Sequence, residues 1–117
     1  MLLAVDIGNT NITLGVFETG DNADYVPAAR WRVATDRGRQ PDEYGLLLTD
    51  LLARRGVAPS DLTGVILCSV VPPLTGSFTE LCTEYFGLEP LIVGTGVRTG
   101  IRVLYDNPRD VGADRIA

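Results

Sequence analysis

Two short stretches of this chain combine residue types that can handle an anionic group and move a proton. The first is Asp6-Ile7-Gly8-Asn9-Thr10-Asn11-Ile12-Thr13. Gly8 can adopt positive φ and leave room for phosphate oxygens. The successive backbone amides of the turn can point inward as an anion nest, and Asn9, Thr10 and Asn11 add neutral hydrogen-bond donors. Phosphate can be held this way without a lysine. Asp6, at the end of an apolar strand, is placed to orient a Mg2+ shell through water, because Mg2+ keeps its waters and takes only one or two carboxylates. The same residues also read as a plain Asn/Gly hairpin with a solvated aspartate. A carboxylate closing a buried strand tips the balance toward phosphate.

The second stretch is Gly112-Ala113-Asp114-Arg115, which follows Tyr105-Asp106-Asn107-Pro108-Arg109-Asp110-Val111. A carboxylate at a helix start has its ionised form favoured by the helix dipole, which suits a general base accepting a hydroxyl proton. Arg115 offers a planar fork to an anionic group. Taken alone, these residues read more readily as a first-turn acid beside a surface arginine, since acids are common in first turns.

The elements around these stretches set their geometry. Leu2 to Val5 is a continuous apolar run, as expected of a central strand buried on both faces, and Asn11 to Phe17 alternates with Ile12, Leu14 and Val16 on one side. Gly8-Asn9 signals a hairpin between them. Tyr25 to Thr35 contains a third strand with Trp31 and Val33 on one face and Arg30 and Arg32 on the other, a charged face suited to a sheet edge. Pro41-Asp42-Glu43 opens a helix with a Leu47, Leu48, Leu51, Leu52 stripe, closed by Arg54, Arg55 and Gly56. Val65 to Val71 is a buried strand, Pro72-Pro73 starts a second helix carrying Leu74, Phe78, Leu81, Cys82 and Tyr85, and Gly87 ends it. Leu91-Ile92-Val93 is a fifth strand, and a further helix starts around Asp110 to Ala113.

The expected order is β-β-β-α-β-α-β, an α/β fold with a mixed sheet that is antiparallel on one side and parallel on the other. Such a sheet, with a Gly-polar turn in its first hairpin, matches the ribonuclease H-like, actin-like ATPase group better than a doubly wound nucleotide fold, which begins β-α-β.

Composition removes several chemistries. The 117 residues contain no histidine, so a Ser-His-Asp triad, a His-Glu-x-x-His zinc site and a histidine general base are excluded within the chain. They contain no lysine, which excludes a Walker A loop. With 15 acids against 10 bases and a net charge of −5, the chain has no basic field for a nucleic-acid backbone or an anionic membrane. No apolar run approaches the roughly 18 residues that span a bilayer, and Asp6 interrupts the N-terminus too early for a signal-peptide core. A cytoplasmic location is expected. Cys68 and Cys82 are too far apart for a Cys-x-x-Cys pair and read as small buried hydrophobes.

Together, Asp6-x-Gly8-Asn9-Thr10-Asn11, Ser69-Val70-Val71-Pro72, Asp42-Glu43-Tyr44 and Asp106-Asn107-Pro108 leading to Gly112-Ala113-Asp114-Arg115 resemble the type III pantothenate kinases along nearly the whole chain. The first motif is shared by many actin-like kinases; Gly-Ala-Asp-Arg in this setting is more specific. The resemblance implies ATP-dependent phosphorylation of pantothenate, the first committed step toward coenzyme A, with Mg2+ and a monovalent cation such as K+ or NH4+. It implies that Asp6, Ile7, Gly8, Asn9, Thr10, Asn11, Ile12 and Thr13 form the ATP loop and that Asp114 is the proton acceptor. Tyr105, Gly112, Ala113, Asp114 and Arg115 would hold pantothenate. The family also has a second domain of similar fold that carries the adenosine side, the monovalent-cation carboxylate and much of a homodimer interface. Residues 1–117 therefore read as the N-terminal domain of a two-domain kinase, stopping at Ala117 inside a helix.

Two other readings stand beside this one. The chain could be a non-catalytic regulatory or accessory homologue, which the carboxylates at Asp6 and Asp114 argue against, or another actin-like small-molecule kinase, which Gly112 to Arg115 argues against. In the full-length enzyme, Asp114→Asn is expected to cut turnover severely while leaving ATP binding largely intact, and normal turnover by that variant would overturn the assignment. The 117-residue chain by itself is expected to show weak phosphate binding at most; pantothenate phosphorylation by it alone would refute the two-domain reading.

Overall fold

The computed structural model describes residues 1–19 and 26–93. Three strands come first: β1 at Leu2–Ile7, β2 at Asn11–Phe17 and β3 at Ala29–Ala34. Helix α1 at Pro41–Ala53, a short 3-10 turn at Pro59–Asp61 and β4 at Gly64–Ser69 follow. Helix α2 at Pro72–Leu81 runs into a π-helical turn at Cys82–Phe86, and β5 occupies Leu91–Val93. The helix start expected around Asp110 lies outside the described residues.

The five strands form one sheet in the order β3-β2-β1-β4-β5. β1 pairs antiparallel with β2, and β2 with β3, whereas β1–β4 and β4–β5 are parallel. This is the expected mixed sheet, with β1 at the junction of its two halves. The apolar run of β1 is explained by this position: Leu3, Val5 and Ile7 on one face and Ala4 on the other are all buried. The charged strand β3 forms an edge, as its Arg30 and Arg32 face suggests.

Alternation along the strands sorts the core into two parts. Leu3, Val5, Ile7, Ile12, Leu14, Val16, Val65 and Leu67 join Tyr44, Leu48, Leu52, Leu74, Phe78 and Leu81 of the helices, so α1 and α2 cover the same sheet face. The opposite face carries a smaller apolar cluster of Ala4, Phe17 and Cys68, edged by Leu2, Ile66 and Val93. Both cysteines are buried thiols and not disulfide partners. Burial pushes the Cys82 thiol up to about 12, so it stays protonated and inert near neutral pH.

The first helix buries a slightly different stripe from the leucine pattern expected. Tyr44, Leu48 and Leu52, spaced i, i+4, i+8, face the core with Gly45, while Leu47 and Leu51 sit at its margin and Leu46 is exposed. A tyrosine hydroxyl enters a core with a partner, and that of Tyr44 has the Asp36 backbone. Its ring packs against Phe78 with centroids 4.9 Å apart. At the start of α1, the Gln40 amide donates to Glu43 Oε1 at 2.8 Å, with Pro41 in the first turn. Gly56, at φ 75°, turns the chain after the helix, as anticipated.

The π turn was not legible in the periodicity. It shifts Tyr85 over α1, where the hydroxyl donates to Asp42 Oδ1 at 3.0 Å, and Gly87 at φ 66° ends it. The close approach is possible because residue 45 has no side chain: a Cβ there would lie 2.5 Å from Tyr85 Cε1. Gly45→Ala is therefore expected to destabilise the fold by about 1–2 kcal/mol despite alanine's higher helix propensity. In a Tyr85→Ala background the same change should become neutral or stabilising. Urea-unfolding midpoints of the four proteins check this, and additive effects would exclude the proposed clash.

Candidate functional site

Asp6 is the penultimate residue of β1. By register it lies between Thr13 of β2 and Cys68 of β4, and by alternation it belongs to the face away from the helices. It is 2% exposed and Thr13 is 3% exposed. Its Oδ1 is shielded from solvent. Packing alone would give such a buried position in the central strand to an apolar residue.

The turn Gly8-Asn9-Thr10 follows at once, with Asn9 and Thr10 exposed and Asn11 half-buried. Ile7 and Ile12, both within the residues expected to form the phosphate loop, send their side chains into the helix-side core and are paired with each other across the β1–β2 ladder. Two details of the expected turn differ. Among the described residues the glycines with positive φ are Gly56 and Gly87, so Gly8 turns the chain without a left-handed conformation. The Gly8 amide is also committed, donating to Asn11 O at 2.9 Å. A ladder bond continuing the β1–β2 hairpin needs that amide in the sheet plane, which keeps it out of an anion nest. The amides left to form one are those of the residues that follow.

Sequence reasoning missed what surrounds the turn. The Thr35 hydroxyl donates to Gly8 O at 2.7 Å and its amide to Thr10 O at 2.9 Å, while Arg37 donates to Asn9 Oδ1 at 2.8 Å. The link from β3 to α1 thus wraps the turn. The available signal was Thr35-Asp36-Arg37 at the mouth of the third strand, a polar run between a strand and a capped helix. On the other flank, the Val70 amide donates to Ile7 O at 3.0 Å, and the Ser69 hydroxyl and Val71 backbone exchange hydrogen bonds of 3.0 and 3.1 Å. The Ser69-Val70-Val71-Pro72 motif therefore closes the second side, and α2 begins immediately after it.

A groove of about 280 Å³ lined by Thr13, Arg30, Trp31 and Arg32 opens on β2 and β3. Arg32 lies opposite Thr13, which in turn lies opposite Asp6, so one cross-strand row carries a carboxylate, a hydroxyl and a guanidinium. A chain with net charge −5 thus places positive groups on the sheet face that holds Asp6. Tyr105, Gly112, Ala113, Asp114 and Arg115, the acceptor half of the expected site, lie outside the described residues.

A sequence model of the family described as Type III pantothenate kinase matches residues 2–117. The chain belongs to the type III pantothenate kinase family. It is 49% identical over 116 residues to a "Type III pantothenate kinase" of Geotalea uraniireducens, covering 99% of this chain and 43% of that protein. Similar matches are found in Geobacter sulfurreducens, at 49% identity and 44% of that protein, and Bacillus cytotoxicus, at 46% and 42%. This family member therefore spans less than half the length of the curated relatives it matches. Among solved structures, Thermus thermophilus RuvC superposes with a TM-score of 0.57 at 15% identity, covering 94% of this chain and 73% of RuvC. At that identity the likeness establishes shared architecture alone, and with the mixed sheet it supports the ribonuclease H-like, actin-like fold. Among the described residues no helix is long and apolar enough to cross a membrane.

Proposed function

We propose that this chain is the phosphate-gripping half of an ATP-dependent pantothenate kinase, working with a second domain of the kind its longer relatives have room for. The observation that carries the proposal is a nearly solvent-inaccessible Asp6 in the central strand of a type III pantothenate kinase family member, leading into a polar turn fastened on both flanks. On this reading the turn at Gly8 to Asn11 receives the β- and γ-phosphates through the backbone amides that follow Gly8 and the Asn9, Thr10 and Asn11 side chains, with Thr13 beside Asp6.

The donor chemistry at Asp6 fits Mg2+: a hard carboxylate oxygen beside a phosphate turn. Mg2+ takes only one or two carboxylates and keeps several waters, so Asp6 would hold it with water and phosphate completing the shell. Bound there, Mg2+ would neutralise charge on the transferring phosphoryl group. The monovalent cation expected in the family is assigned to no residue of this chain.

For the acceptor, Asp114 takes the proton of pantothenate's primary alcohol as that oxygen attacks the γ-phosphorus in line, and Arg115, with Gly112, Ala113 and Tyr105, anchors the substrate. The new P–O bond forms as the bond to the β-bridging oxygen breaks, giving phosphopantothenate and ADP. Positioning and charge neutralisation supply most of the rate in such a transfer. A homodimer and a cytoplasmic setting accompany this reading.

The direct test is pantothenate-dependent ADP formation by the full-length protein, with hexoses and acetate as competing acceptors. Turnover is expected with pantothenate alone, and Asp6→Asn should lower kcat by about a hundredfold, the scale at which removal of a transition-state electrostatic contact is felt. ADP formation with a sugar and not with pantothenate would replace the acceptor assignment. An Asp6→Asn enzyme with unchanged kcat would remove Asp6 from the phosphate site.

A further inference from the structure

The hydrogen bonds around the turn have a direction. A trans peptide points its carbonyl and its N–H to opposite sides, and the chain has no cis peptide bond among the described residues. Thr35 collects two turn carbonyls, Gly8 O through its hydroxyl at 2.7 Å and Thr10 O through its amide at 2.9 Å. The N–H groups that share those peptide planes belong to Asn9 and Asn11. Drawing these two carbonyls toward Thr35 therefore turns the Asn9 and Asn11 amides away from it, so that in these two peptide planes the carbonyl oxygens lie on the Thr35 side and the donors on the other. An anion nest needs this separation, because a carbonyl facing the phosphate would oppose it.

Thr35 is itself held from the core. Asp36 donates its amide to the Tyr44 hydroxyl at 2.8 Å, and the same hydroxyl donates to Asp36 O at 2.9 Å. Tyr44 is fully buried and its ring packs at a tilt against Phe78, so the backbone between Thr35 and Arg37 is pinned to the buried face of α1 by a two-way bond. Asp36 further accepts from the Gly38 amide at 2.9 Å, which tightens the bend. Arg37, just beyond, fixes Asn9 by its side-chain oxygen and so leaves the amide nitrogen of that side chain as the end turned toward a ligand.

We propose that Thr35 and Tyr44 are positioning residues that set the polarity of the phosphate turn: Thr35 sorts its carbonyls from its amides, and Tyr44 locks Thr35 in place through Asp36. This rests on the kinase reading for the identity of the anion, whereas the clamp itself stands on the geometry. Neither residue need touch the nucleotide.

The test uses the full-length protein and three variants. Thr35→Val keeps the shape and the backbone bond but removes the hydroxyl, Thr35→Ser keeps the hydroxyl, and Tyr44→Phe removes the bracket on Asp36 while keeping the ring against Phe78. Thr35→Val, which loses one hydrogen bond to the turn, is expected to raise KM for ATP about tenfold, and Tyr44→Phe, which loses both bonds to Asp36, at least as much, with KM for pantothenate within about twofold of the parent in each. Thr35→Ser should restore ATP binding. Amide hydrogen exchange gives a readout independent of turnover: the Gly8 and Thr35 amides should exchange about tenfold faster in Thr35→Val and at the parent rate in Thr35→Ser. Unchanged ATP KM and exchange in Thr35→Val would overturn the proposal, as would a Thr35→Ser variant as impaired as Thr35→Val. If the parent protein phosphorylates no pantothenate, the kinase reading fails by itself, and the exchange rates still decide the clamp.

Discussion

The structure depends on the placement of β1 in the middle of the sheet. Leu2–Ile7 is hydrogen-bonded on both edges, antiparallel to β2 and parallel to β4, and is covered on its helix side by α1 and α2. A strand in that position gives every side chain to one buried face or the other, which apolar residues fill at a gain of about 25 cal/mol per Å² removed from water. Asp6 breaks the pattern. Holding a carboxylate there opposes the stability that Leu3, Val5 and Ile7 provide, and the strand tolerates it one residue from its end, where the polar turn begins. That location makes Asp6 a candidate for chemistry and ties its orientation to the most constrained element of the fold.

The turn after it has little packing of its own. Its exposed Asn9 and Thr10 would be mobile in an isolated hairpin, since a two-stranded ribbon is marginal in water. Here it is bounded by two segments that are anchored elsewhere: Val70, emerging from the parallel strand β4, and Thr35 to Arg37, emerging from the edge strand β3. The second of these reaches the core through the Tyr44 hydroxyl. A buried polar atom that would otherwise cost stability is satisfied by a loop backbone, so core and loop constrain each other. Local rigidity is thereby supplied to a loop that otherwise has only exposed polar side chains.

Charge is arranged to the same end. All ten basic residues are arginines, and the chain is acidic overall, yet Arg30 and Arg32 share the sheet face of Asp6 and Arg37 touches the turn. Arginine's fixed fork suits this work better than a flexible ammonium, because it can hold a protein acceptor and still offer donors in the same plane. Positive charge close to the turn would reinforce its amides as a proposed anion site without a lysine there.

The sequence by itself determined the element order, the mixed sheet, the edge position of β3 and the two-faced burial of β1, because periods of two and of 3.6 residues report which side chains leave water. It also singled out Asp6 and the polar turn, since a carboxylate closing an apolar run contradicts its surroundings. The tertiary structure decided the rest. It showed that Gly8 turns without positive φ and spends its amide on Asn11, that Tyr44, Leu48 and Leu52 form the buried stripe of α1, and that α2 ends in a π turn over Gly45. Above all it brought Thr35 and Arg37 onto turn residues 27 and 28 positions earlier in the chain. Such contacts depend on strand register and on where a helix is pinned, quantities set by pairing and packing across the whole sheet, and no local pattern in the sequence encodes them.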